Sequence, residues 1–179
     1  MKRIIFSILI LLSTFSLRSQ EEDNSIRPEF GIIPGTFLPF GIVGVRDQYP
    51  MVAMYYSNKA FTAPKWELGL FATNSKGVNF YSGSLSYKID LNFYDALEMF
   101  INFGVDAHYY RRKATVSTEF DFFATGGAHI GFGTYHEWSK NLYLRSDFKF
   151  NFGPGKNFFA GLGLVRRWDP SSDDDNDEN

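Results

Sequence analysis

Along residues 97–110, LEMFINFGVDAHYY, one set of alternate positions (Leu97, Met99, Ile101, Phe103, Val105, Ala107, Tyr109) is apolar. The other set carries Glu98, Asn102, Asp106 and His108 among Phe100, Gly104 and Tyr110. Successive side chains of a strand point to opposite faces, so this period predicts one long strand with an oily side and a charged side. The pattern recurs in GTFLPFGIVGVR (35–46), MVAMYYS (51–57), KWELGLFAT (65–73), GVNFYSGSLSYKID (77–90), LEMFINFGVDAHYYR (97–111), FDFFATGGAHIGFGTY (120–135), NLYLRSDFKFNF (141–152) and NFFAGLGLVRRW (157–168), eight strands in all. Turn-forming residues collect between them, in DQYP, NKAFTAP, NSK, LNFYDA, RKATVSTE, HEWSK and GPGK. No repeat of fixed period and no long helical pattern interrupts the series, so the predicted class is all-β.

Strand length narrows the architecture. A 14-residue strand spans roughly 46 Å at ~3.3 Å per residue, and tilted by about 40° it projects roughly 35 Å, enough to cross a hydrocarbon layer. The faces are equally clear. Leu142, Leu144, Phe148, Phe150 and Phe152 oppose Tyr143, Arg145, Asp147, Lys149 and Asn151, and Tyr81, Leu85, Tyr87 and Ile89 oppose Ser82, Ser84, Ser86, Lys88 and Asp90. In a soluble, lipocalin-like barrel the apolar face turns inward; in a membrane barrel the alternation is inverted, with lipid outside and a polar lumen. Alternation alone fits both. Strand length, strand count and the aromatic load favour the inverted form.

Composition and charge then add the compartment. The 179 residues are 44% apolar and 18% aromatic, with twenty Phe, ten Tyr, three Trp and 16 Gly, which excludes a disordered chain. No cysteine is present, so disulfides, thiol chemistry and an acylated lipobox are excluded. Met1-Lys2-Arg3, the apolar run Ile4 to Leu12 and the following STFSLRSQ read as a secretory signal peptide, residues 1–19. The run falls short of the ~20 residues that span a bilayer. DPSSDDDNDEN, residues 169–179, is expected to be an acidic, solvated tail behind a nearly neutral body.

The opening TFLPFGIVGVRD, the Gly- and aromatic-rich GVNFYSGSLSYKID, INFGVDAHYY and FFATGGAHIGFG, and the closing FFAGLGLVRRW together resemble the small outer-membrane β-barrel proteins of Gram-negative bacteria, the OmpA/OmpX-like barrel domain class. The resemblance covers residues 28–168. It implies an eight-stranded antiparallel up-and-down transmembrane β-barrel in the outer membrane, with both ends periplasmic and insertion by the barrel-assembly machinery. Such barrels usually end on an aromatic residue with apolar residues two and four before it. Trp168 and Leu164 fit this, whereas Arg166 departs from it.

In that arrangement Lys88, Glu98, Asp106, His108, Arg145, Asp147 and Lys149 face the lumen. An eight-stranded barrel is about wide enough to be filled by side chains. Both signs are present, so a salt-bridged plug is expected rather than an open pore. Arg145, with a planar fork that can hold two carboxylates, is the expected centre. The outer turns carry Arg46, Lys76, Arg111, Arg112, Lys113 and Lys156, candidates for lipopolysaccharide phosphates. His108 with Asp106 on the same face could orient an imidazole or hold a metal, but a satisfied lumen histidine is the expectation. No His-x-Ser spacing, P-loop or nucleic-acid motif occurs. The expected protein is a monomeric, non-enzymatic, cofactor-free barrel with a structural or interaction role, with a narrow channel or a carrier of apolar ligands as alternatives.

Overall fold

A computed structural model of the chain describes residues 28–40, 47–59, 65–75, 77–94, 97–113 and 120–168. They form β1 Glu29–Pro39, β2 Tyr49–Lys59, β3 Lys65–Ser75, β4 Val78–Tyr94, β5 Leu97–Lys113, β6 Phe120–Ser139, β7 Leu142–Phe152 and β8 Asn157–Arg167. Each strand pairs antiparallel with the next, and β8 returns to β1 and closes the barrel. The expected eight-stranded up-and-down architecture is the observed one. The segments expected as signal peptide (1–19) and acidic tail (169–179) lie outside the described residues.

The register fixes the barrel's shape. Cross-strand pairing runs Glu29, Ser57, Glu67, Ser86, Gly104, His129, Asn151, Asn157 and back onto β1 at Pro39, a stagger of ten residues (29 to 39) in one circuit. Eight strands ~4.8 Å apart with that stagger tilt by about 40° and leave a backbone radius of about 8 Å. That radius leaves room inside for side chains and little else.

Several boundaries differ from the sequence reading. The first strand begins at Glu29 rather than Gly35, and residues 41–46 lie outside the described residues. Gly31, Pro34 and Gly35 read as turn chemistry, yet the strand accommodates them. Pro34, which has no N–H to donate, lies where the β1–β8 ladder is interrupted, between Ile32↔Leu164 and Gly35↔Gly161. β4 and β6 also extend into the expected turns LNFYDA and HEWSK, as far as Tyr94 and Ser139, with register shifts at Asn92/Tyr94 and Glu137/Ser139. The β6–β7 reversal falls at Lys140 and Asn141, where Asn141 takes the left-handed conformation (φ 65°).

The faces follow the alternation and are inverted. Leu70, Leu85, Val105, Phe132, Leu162 and Leu164 point outward and are exposed, whereas Lys88, Arg145, Asp147 and Lys149 point inward and are buried. The outward Thr134 and Ser146 satisfy each other across β6 and β7 (2.8 Å). Aromatic residues flank this belt, with Tyr81, Tyr109, Phe40 and Phe152 toward one rim and Phe30, Tyr56, Tyr87 and Trp66 toward the rim that holds both described ends.

Candidate functional site

The interior holds a column of polar layers beside an apolar cluster that includes Ile33, Met51, Phe71 and Phe159. At the rim where β1 meets β8, Glu29 gathers donors from five other strands. Ser57 Oγ (2.9 Å), Lys65 Nζ (3.3 Å), Lys88 Nζ (2.7 Å), Tyr135 OH (3.1 Å) and Arg167 Nε (2.8 Å) all bond its carboxylate. Arg167 also holds Glu98 (2.6 Å), with its guanidinium over the Tyr143 ring at 4.0 Å. Lys65 reaches Asp90 at 2.7 Å, and Lys88 donates to the Tyr135 hydroxyl. Charges taken this far from water need both opposite charge and hydrogen bonds to be tolerated, and this cluster supplies both.

Above it Arg145 occupies the centre. Its guanidinium lies 4.3 Å from both the Tyr55 and the Phe100 ring centroids. One edge meets Glu67 in two bonds (2.6 and 3.1 Å), and Nη2 also bonds Asp147 at 2.6 Å. Aromatic faces suit the delocalised cation, and the fork suits carboxylates. Asn102 Nδ2 donates to Glu67 Oε1 at 3.2 Å. Bulk on this level is matched by glycine opposite: a Cβ at Gly133 would lie 2.6 Å from Phe100 Cε1.

The next layer holds Asp106 between Lys149 Nζ (2.6 Å) and His129 Nδ1 (2.8 Å), while His129 Nε2 meets Ser86 Oγ at 2.9 Å. Asp106 accepts the Nδ1–H, which leaves Nε2 to meet the Ser86 hydroxyl. The order is that of a nucleophilic triad, but all three groups are buried and Lys149 holds the other oxygen of Asp106. What the arrangement does is hold the His129 ring in one orientation between Asp106 and Ser86. His108 bonds Ser82 at 2.9 Å through Nδ1, with its ring near Phe80. A cap closes the column toward the far rim. Phe37 and Phe80 stack at 4.5 Å, Tyr110 packs on Phe80, and Asn157 bridges Asn151, Tyr110 and the Gly155 carbonyl.

All seven lumen residues named from the sequence therefore point inward, but their pairings differ from the simplest ones. Asp106 orients His129 rather than His108, and Glu98 sits at the mouth against Arg167 rather than with Lys88, Arg145 or Lys149. Sequence reasoning missed Glu29, Lys65, Glu67, His129 and Arg167. Lys65 and Glu67 were readable, since Trp66, Leu68 and Leu70 between and after them take the outer face. Glu29 was lost with the start of β1. Of the basic candidates, Arg111 and Lys156 are exposed, Arg112 and Lys113 end β5, and Arg46 and Lys76 lie outside the described residues. Among the described residues no group of three or more His, Asp or Glu is placed to hold a metal ion.

No family model matches the chain, and no curated protein matches it by sequence. The fold nevertheless has solved counterparts. Neisserial surface protein A matches with TM-score 0.63 and 10% identity, over 80% of this chain and 97% of that one. OprG of Pseudomonas aeruginosa matches with TM-score 0.61 and 9% identity, over 81% and 97%. Ail of Yersinia pestis, in complex with the heparin analogue sucrose octasulfate, matches with TM-score 0.56 and 10% identity, over 80% and 99%. The chain has the fold of the small outer-membrane barrels.

Proposed function

We propose that this chain is a bacterial outer-membrane protein with a structural or interaction role: a monomeric, non-enzymatic barrel with a sealed lumen, in contact with outer-membrane lipid and lipopolysaccharide. The observation that carries the reading is the inversion of its faces. Leu70 and Val105, each 59% exposed, lie on the outer wall, while Arg145 and Asp147, 1% and 0% exposed, lie within. In water such a wall would be an apolar patch far beyond what monomers tolerate. In a bilayer it is the expected surface. A carrier of apolar ligands needs an open apolar interior, whereas here the inward apolar side chains, Ile33, Phe37, Met51, Phe71 and Phe80 among them, pack on one another beside the buried charges.

The rim holding both described ends would face the periplasm, where the barrel-assembly machinery acts. The opposite rim would face outward with Arg111 and Lys156, and with Arg112 and Lys113 at the end of β5. These cations suit the phosphates of lipopolysaccharide. Ail, a barrel of this fold, has been solved with a polysulfated ligand, which supports polyanion binding as a use for such a scaffold.

The test is fractionation followed by a detergent gel with and without boiling. The expected result is a protein in the outer-membrane fraction whose mobility shifts only on heating. A protein in the soluble periplasm that shows no shift would overturn the reading.

A further inference from the structure

At inward glycines such as Gly133 and Gly161 a Cβ would come within 3.0 Å of a neighbour, so the packing of the chain itself demands them. Gly83 on β4 is different. It faces outward, its backbone is ordinary strand, and a Cβ there would meet only Leu70 Cδ2, at 4.0 Å. Glycine weakens a strand interior, and nothing within the protein requires this one.

Gly83 lies in the floor of an outer-wall depression of about 460 Å³, with Ala72 and Ala107 beside it and Met54, Leu70 and Tyr81 as walls. The register places polar groups directly above. Gly83 pairs with Ala107, then Tyr81 with Tyr109, their rings stacked at 6.4 Å, then Asn79 with the exposed Arg111. Arg111 lies four positions beyond Ala107, ~13 Å along the strand. An apolar trough therefore lies under an aromatic step and a cation, in the order of a lipid's chain, ester region and phosphate.

We propose that this depression seats an acyl chain of lipopolysaccharide, with a lipid phosphate at Arg111. The inference rests on the outer-membrane reading above and deepens it by naming a site. The trough's surroundings are apolar side chains of the lipid-facing belt, and a hydrocarbon chain asks for no hydrogen bond. The positive charge at its upper end complements a phosphate, whereas a second copy of this barrel would bring its own Arg111 there.

Two variants test it in the full-length protein. Gly83→Leu, whose Cβ would meet only Leu70 Cδ2, projects a side chain into the trough, and Ala107→Leu does so from the adjacent strand. Binding of purified lipopolysaccharide is measured in detergent micelles, with the heat-dependent mobility shift confirming that each barrel is closed. Both variants should bind about tenfold more weakly, the change expected when about two methylene groups lose their contact. Arg111→Ser should also weaken binding, and dephosphorylated lipopolysaccharide should bind the unchanged protein less well.

Three results would overturn the proposal while leaving the outer-membrane reading intact: full binding by closed Gly83→Leu and Ala107→Leu barrels, an equal effect of filling the trough on phosphatidylglycerol binding, or a disulfide-linked dimer of Gly83→Cys in native membranes. Failure of the unchanged protein to bind lipopolysaccharide at all would remove the proposal and the lipopolysaccharide part of that reading together.

Discussion

Arg145 carries the most concentrated interaction in the molecule. It is sandwiched by two rings, doubly bonded to Glu67 and shared with Asp147, all out of reach of water. A buried ion pair adds little over a well-packed apolar substitute, but half of one is costly. Arg145→Met should therefore lower the unfolding free energy by about 3–5 kcal/mol, read from urea unfolding in lipid vesicles. Adding Glu67→Gln and Asp147→Asn should restore much of it, and a triple variant no more stable than the single one would show that packing, not charge, dominates. Ser86 provides a second check. If its hydroxyl only satisfies His129, Ser86→Ala should cost about 1–2 kcal/mol, and a fluorophosphonate probe should label neither form. Labelling at Ser86 would make it a nucleophile.

At the scale of elements, the alternation displayed most of the barrel. Six of the strands, β3 to β8, carry their inner and outer faces in plain period two, because the two solvents they meet differ so sharply. β1 was hidden because its code is local while its tolerance is not. Pro34 and the glycines around it signal turns, and only the partner strand shows why they are allowed. Gly161 and Gly163 on β8 let the backbones of the closing seam approach, with a Cβ at Gly163 lying 2.6 Å from Ile33 Cα. Which charges share the lumen was readable from parity. Who pairs with whom was not, since neighbours such as Glu29 and Arg167 are set by barrel closure, 138 residues apart in sequence. The same logic separates the glycines. Gly104→Ala places a Cβ 2.8 Å from Ser86 Cα, so it should sharply reduce the fraction of refolded protein that shows a heat-dependent shift. Gly83→Ala, whose Cβ meets only Leu70 Cδ2 at an ordinary 4.0 Å, should leave that fraction unchanged. Equal behaviour of the two would mean that backbone approach does not govern closure.

The whole molecule joins a wall and a column of different chemistry. Strands of 11 residues, the length of β1, β2, β3, β7 and β8, tilted by about 40°, rise about 28 Å, close to the ~25 Å apolar band of an outer-membrane barrel. The cross-strand row that starts at Glu29 winds up that full height to Pro39 through Ser57, Glu67, Ser86, His129, Asn151 and Asn157, so a polar seam climbs the interior beside its apolar cluster. A polar lining of this kind could conduct if it were wet. Here the charges are consumed by one another, and the far end is shut by Phe37, Phe80 and Tyr110. Salt should not loosen them, because screening acts on exposed charges and only weakly on buried pairs. The purified barrel in a planar bilayer should therefore show no steady conductance, in dilute or in molar KCl. Persistent stepwise openings at low voltage would require the Glu67–Arg145 and Asp106–Lys149 pairs to exchange partners and the aromatic cap to part. The column would then be a gate, and the role of the protein would shift from contact at its surface to passage through its centre.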